Sequence, residues 1–259
     1  MKLCHAGWAV CLVILGLGGC QSGTLPDPNE PGDSGLVQAA VLRRNLDNAN
    51  KLLEHRQAVG EITEEQRAAL LQKYAEELLS HIRIKKIPEK SAWEYGDVFK
   101  VAQRWPQAKE AYSIAVSYAK TEDRRVNDSL RLALALVNLN EVDEGILMAR
   151  SVFDTTDTNA APILPAILYE IVPAGMGKGR DGELARLVED AIAEHARTQV
   201  DPGTEAGKAF LIARPHHVLK GYRQASKLYR SAGMDEEADR TWTEFRARGG
   251  MADPPSPRR

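Results

Sequence analysis

Apolar residues in this chain recur at spacings of three and four, the period of a helix face, and strands are not expected. From Leu36 onward, Val37, Val41, Leu42, Leu46, Ala49, Leu52 and Leu53 trace a single stripe. Gly60 ends that helix. Thr63 then stands three residues before Gln66, a capping-box spacing, and Glu64 and Glu65 suit the positive end of a new helix. Leu70, Leu71, Tyr74, Leu78 and Ile82 carry the buried face of this second helix and Pro88 closes it, with Lys85 and Lys86 as a solvated C-terminal cap. Residues 36–88 therefore read as an antiparallel helical hairpin. No stretch alternates apolar and polar positions over six residues between turn signals.

The pattern then becomes repetitive. In Ser91 to Lys120, Gly96 and Phe99 lie three apart on one helix, and Ala108, Tyr112 and Ala115 lie at four and three on the next. Small Gly96 and Ala108 allow the two helices to cross closely, while Phe99 and Tyr112 fill the groove beside them. Pro106 suits the first turn of the second helix, where its missing N–H costs nothing. About one period later, Ala133 and Leu136 precede a turn at Asn138 to Glu141, followed by Gly145, Ala149 and Val152. A weaker unit places Ile163, Ile167, Leu168 and Ile171 on one face and Leu184, Leu187, Val188, Ala191 and Ile192 on another, across a glycine-rich loop. The last unit has Ser226 and Tyr229, Gly233 in its turn, then Ala238, Trp242 and Phe245, with Asp235 as the helix cap. Thr204 to Ala213 reads as an extra helix that interrupts the period.

These spacings resemble the tetratricopeptide repeat, a helix–turn–helix unit of about 34 residues. The likeness is degenerate: Trp93 sits one residue too close to Gly96, and Lys120 stands where the repeat ends in proline. It implies an all-α, right-handed α-solenoid of TPR-like antiparallel helix pairs over residues 91–248, preceded by the helical hairpin. Stacked pairs of this kind leave an extended surface for protein partners. Trp105, in the turn of the first unit, is the best candidate for an exposed anchor on it.

The N-terminus adds an address. Lys2 precedes a short apolar run from Ala6 to Gly19, less than the ~20 residues that a membrane-spanning helix needs. Leu17-Gly18-Gly19-Cys20 closes it and resembles the lipobox of bacterial lipoproteins. That resemblance implies a signal peptide at 1–19, lipidation of Cys20, and retention at the cell membrane by a lipid anchor. Gln21 after the cysteine implies the outer membrane, facing the periplasm. Residues 20–35, rich in proline, glycine and acids, read as a tether. The tail at 249–259 reads as disordered, with Pro254-Pro255 and Pro257 as a frayed end.

Composition narrows the chemistry. All three cysteines fall within the first 20 residues, which leaves no disulfide framework and no thiolate metal site beyond them. A formal net charge of −2 without a basic stripe argues against nucleic acid as a partner. Gly175-Met176-Gly177-Lys178-Gly179 lacks the Ser or Thr and the strand of a phosphate loop, and reads as a connection between helices. His216 and His217 read as a surface turn after Pro215; His55, His81 and His195 read as single residues at polar helix positions. The pairs Glu64-Glu65, Glu76-Glu77 and Glu236-Glu237 read as solvated helix faces, not as catalytic carboxylates. No metal, cofactor or catalytic residue is expected. The functional expectation is a non-enzymatic, membrane-anchored scaffold or assembly factor with protein partners in the bacterial cell envelope. The alternative is an envelope enzyme, or a glycan- or small-ligand-binding protein, using a groove between repeats.

Overall fold

The computed structural model describes residues 39–80, 87–153 and 163–250. Cys20, the apolar run before it, the tether, Leu36, Val37, His81, Ile82, Lys85, Lys86 and the tail from Met251 lie outside the described residues. Within them the chain is helical, with no strand. Helices α1 (Ala39–Ala58), α2 (Glu64–Ser80), α3 (Ala92–Val101), α4 (Trp105–Tyr118), α5 (Glu122–Asn138) and α6 (Val142–Arg150) follow one another across short connections. Next come α7 (Ile163–Ala166), a π turn (Ile167–Ile171) and α8 (Val172–Gly175), then α9 (Asp181–Arg197), α10 (Glu205–Ser231) and α11 (Asp235–Ala247). Sequence neighbours pack on each other: α1 on α2, α3 on α4, α4 on α5, α5 on α6, α9 on α10 and α10 on α11. That serial packing is the mark of an α-solenoid.

Among the described residues, one turn geometry closes five helices, at Gly60 after α1 and Gly249 after α11 and at three turns inside the repeat units. Gln103 and Asn140, with φ of 55° and 68°, and Gly233, with φ of 74°, hold the left-handed position after α3, α5 and α10. The next amide N–H donates back to the helix: Arg104 to the Phe99 carbonyl at 2.9 Å, Glu141 to Leu136 at 3.0 Å, Met234 to Tyr229 at 2.9 Å. These bonds satisfy carbonyls that the helix end would otherwise orphan. The residue three before each accepting one is small: Gly96, Ala133 and Ser226. A Cβ at Gly96 would stand 2.3 Å from the Tyr112 ring, and one at Gly145 would stand 2.5 Å from Val137 Cγ2, so at both glycines a neighbouring side chain fills the space that a Cβ would need.

Helix α5 lies between two apolar cores. Leu132, Ala135 and Leu136 join Tyr95, Phe99, Ala108 and Tyr112 in front of it. Leu130, Ala133, Leu134 and Val137 join Ile146, Ile167, Leu184 and Val188 behind it.

Several expectations are corrected. Leu52, 62% exposed, and Leu70, 40% exposed, leave the buried stripe of the first hairpin, whose second helix buries Ala75 and Leu79 instead. Met234, not Asp235, precedes α11, and Asp235 is its first helical residue. No separate helix covers Thr204 to Ala213: α10 runs unbroken for 27 residues through Pro215. Proline removes one amide donor and crowds the carbonyl four residues back. Here Leu211, Ile212 and Pro215 are all exposed, so water can serve the freed carbonyl of Leu211. Pro173 has a different outcome. The Val172 N–H donates to the Ile167 carbonyl, a five-residue step, and the π turn so formed ends two residues before the proline.

Candidate functional site

The face built by the first helices of the pairs is lined with charge. A groove of about 540 Å³ runs between α1, α3, α5 and the π turn, over a floor that includes Leu46, Val101, Leu130 and Ile171. Helical spacing brings Arg43 and Asp47 to it from α1, Asp97 and Lys100 from α3, Asn127 and Arg131 from α5, and Tyr169 and Glu170 from the π turn.

The charges are held in place by each other. Asp128 is wholly buried on α5 and accepts from Arg124 at 2.7 Å and Arg131 at 3.1 Å. Burial pushes its carboxyl upward against the pull of both guanidinium groups. Arg131 also reaches Asp97 at 3.1 Å, and the Tyr112 hydroxyl donates to the same carboxylate at 2.9 Å. Burial, followed by the Asp97 charge, holds the Tyr112 phenol well above its ordinary pKa. Trp93 lies among three cations: Arg43 and Arg124 each 4.6 Å from its ring centre, and Arg131 at 5.2 Å. Lys100 meets Glu170 at 2.5 Å across the groove.

The sequence-derived candidates divide. Gly96, Phe99, Ala108, Tyr112, Ala115, Ala133, Leu136, Gly145, Ala149, Val152, Tyr229, Ala238, Trp242 and Phe245 are all buried. Trp105 is not an exposed anchor. It opens α4 half-buried and packs against both apolar cores. Among the described residues the exposed large aromatic is Tyr169, with Lys220 of α10 3.7 Å above its ring and its hydroxyl 3.4 Å from His217 Nδ1. Sequence reading missed it because the π turn shifts the apolar period by one residue there. The clue was Pro173, four residues on.

The histidines are also rearranged. His216 and His217 are helical residues of α10, not a surface turn. His195 is buried, not at a polar position: its ring lies 4.6 Å from Phe210 and its Nε2 has no partner. Burial first, then Arg214 and His217, lowers its pKa to about 4. His195, His216 and His217 gather with no further ligand, and among the described residues no group of three metal-ligating side chains occurs.

Other cations of interest are engaged. Lys178, in the glycine-rich connection, donates to the Val137 carbonyl at 2.7 Å, and Arg180 meets Asp143 at 2.7 Å. Glu65 is fully exposed and its carboxyl is lowered by Thr63, the reverse of what a general acid needs. Among the described residues, no helix is long and apolar enough to cross a membrane.

No protein-family model matches the chain, and no curated protein is similar to it. Two solved structures of a Podosopora anserina kinesin light chain protein with nearly identical TPR-like repeats align with 80% of this chain and 95% of theirs, at 18% identity. Their TM-scores are 0.42 and 0.43. Likeness at that level transfers no partner or activity, and the solenoid assignment rests on this chain's own helix packing and repeated turns.

Proposed function

We propose that the chain is a non-enzymatic scaffold that takes a protein partner in the groove between α1, α3, α5 and the π turn. We further propose that Cys20 carries a lipid that holds the scaffold at the bacterial outer membrane, facing the periplasm. The observation that carries the first part is the groove itself. Fixed charges of both signs surround an apolar floor, with exposed Tyr169 at one end. Arrays of that kind confer orientation and specificity, because a partner must match both signs at once. The lipobox-like Leu17-Gly18-Gly19-Cys20 supports the second part.

Each part has its own test. Reversing two groove charges, Lys100→Glu with Arg131→Glu, abolishes capture of the cognate envelope protein, while Glu110→Lys on the outer helix α4 leaves it intact. Capture indifferent to the groove pair overturns the scaffold site. Metabolic labelling with a clickable palmitate analogue marks the wild-type chain and not Cys20→Ala; equal labelling of the two overturns the lipid assignment.

A further inference from the structure

Away from the residues of the groove's charge lattice, the C-terminal helices leave a cavity of another kind. It measures about 730 Å³ and lies between α9, α10 and α11, within the range of small-molecule sites, about 300–1,000 Å³. Its walls are Ile192, Val218, Leu219 and Tyr222, and its room comes from Ala193 and Ala196, two small residues on a helix side where its neighbours are charged. Pro215 lines it as well.

The charges at its rim do not balance. Arg240 meets Glu189 at 2.8 Å, and the Tyr229 hydroxyl donates to that same carboxylate at 2.6 Å. Arg248 meets Glu244 at 3.7 Å. Arg214 is the third arginine, and among the described residues it makes no ion pair with a carboxylate. Its Nη2 donates to the Thr198 carbonyl at 2.5 Å, its guanidinium lies 4.8 Å from the Phe210 ring centre, and its Nε is buried with no acceptor. A guanidinium on a cavity wall with no carboxylate counter-ion offers charge-assisted donors to an anionic acceptor.

We propose that this cavity binds a single-chain amphiphile with a carboxylate head, the head on Arg214 and the chain along the aliphatic walls. One unmatched cation beside an apolar wall suits a ligand with one charged end and no further polar groups. The site shares no residue with the proposed partner groove, so either stands without the other.

Calorimetric titration of the full chain with dodecanoate, below its micelle concentration, tests this. Saturable binding near one equivalent is expected, with dodecanol binding much more weakly. Arg214→Gln weakens dodecanoate roughly tenfold or more, and Arg214→Lys restores part of the loss. Ala196→Trp fills the cavity and abolishes binding; Ala193→Leu replaces it should the tryptophan variant lose helicity. Equal affinity for dodecanol, indifference to Arg214→Gln, or binding that survives a filled cavity overturns the proposal, the last by placing the ligand elsewhere on the chain.

Discussion

The two sides of α5 are made of different materials. In front of it, alanines, one glycine and two buried tyrosines bring helix axes close together, and the open face is a lattice of paired charges around Trp93. Behind it, leucine, isoleucine and valine fill the core, Pro173 and Pro215 sit within helices, and the buried ionisable groups include a histidine with an unpartnered nitrogen. Close contact between small residues tolerates no added atom. The π turn, the proline inside α10 and the second cavity fall on that side, which keeps close glycine contacts of its own at Gly145 and Gly221.

The contrast is most sharply broken at Asp128. Asp128→Ala leaves two guanidinium groups beside Trp93 without their buried counter-ion and costs about 4 kcal/mol in equilibrium denaturation. A loss within experimental error would mean that the charge lattice is decoration.

Acid separates the two sides next. His195 is neutral when folded, with a pKa of about 4 against about 6.5 unfolded, so its contribution is complete above pH 6.5 and is lost as the pH falls toward 4. The loss amounts to about 3 kcal/mol. Asp128 has the opposite sign: its carboxyl is raised by burial, and acid favours its folded, protonated form. Hydrogen exchange at pH 7 and pH 4.5 then shows α9 and α10 losing protection before α3 and α5, and His195→Phe removes the difference. Uniform loss along the chain would contradict this.

Gly96→Ala forces a Cβ into the Tyr112 ring and costs about 2 kcal/mol in the same denaturation experiment. Ala193→Ser, on the exposed side of α9, is the control and changes little. The smallest effect is stabilising. Gln103→Gly relieves a left-handed backbone at a turn where Gly233 already holds the equivalent place, and gains about 0.5–1 kcal/mol. A Gln103→Gly variant no more stable than wild type would show that the three turns are not equivalent.

Helix identity was legible because amphipathic period, capping and turn residues agree locally. Thr63 and Gln66 bond reciprocally, at 2.9 and 3.2 Å, as their spacing predicts. What escaped was set by tertiary context. Pro215 reads as a helix stop, yet the partners of α10 on both sides carry the helix through it. His195 looks polar among Glu194 and Arg197, but Phe210, 15 residues ahead, covers it. Tyr169 is hidden by a π turn that no helical template contains. The groove was anticipated as a surface and not as residues, because Arg43, Lys100, Arg131 and Glu170 come from four elements whose meeting no local pattern records.

The α1–α3–α5–π-turn face is the proposed partner site. Site-specific photocrosslinking in cells tests it most directly, with the reactive residue placed in turn at Lys100, Tyr169 and, on the outer face, Glu110. The account predicts that one and the same protein is joined to Lys100 and Tyr169, that it is absent at Glu110, and that Arg131→Glu removes it. The same adduct at Glu110, or none at either groove position while the chain still captures its partner, would contradict the account.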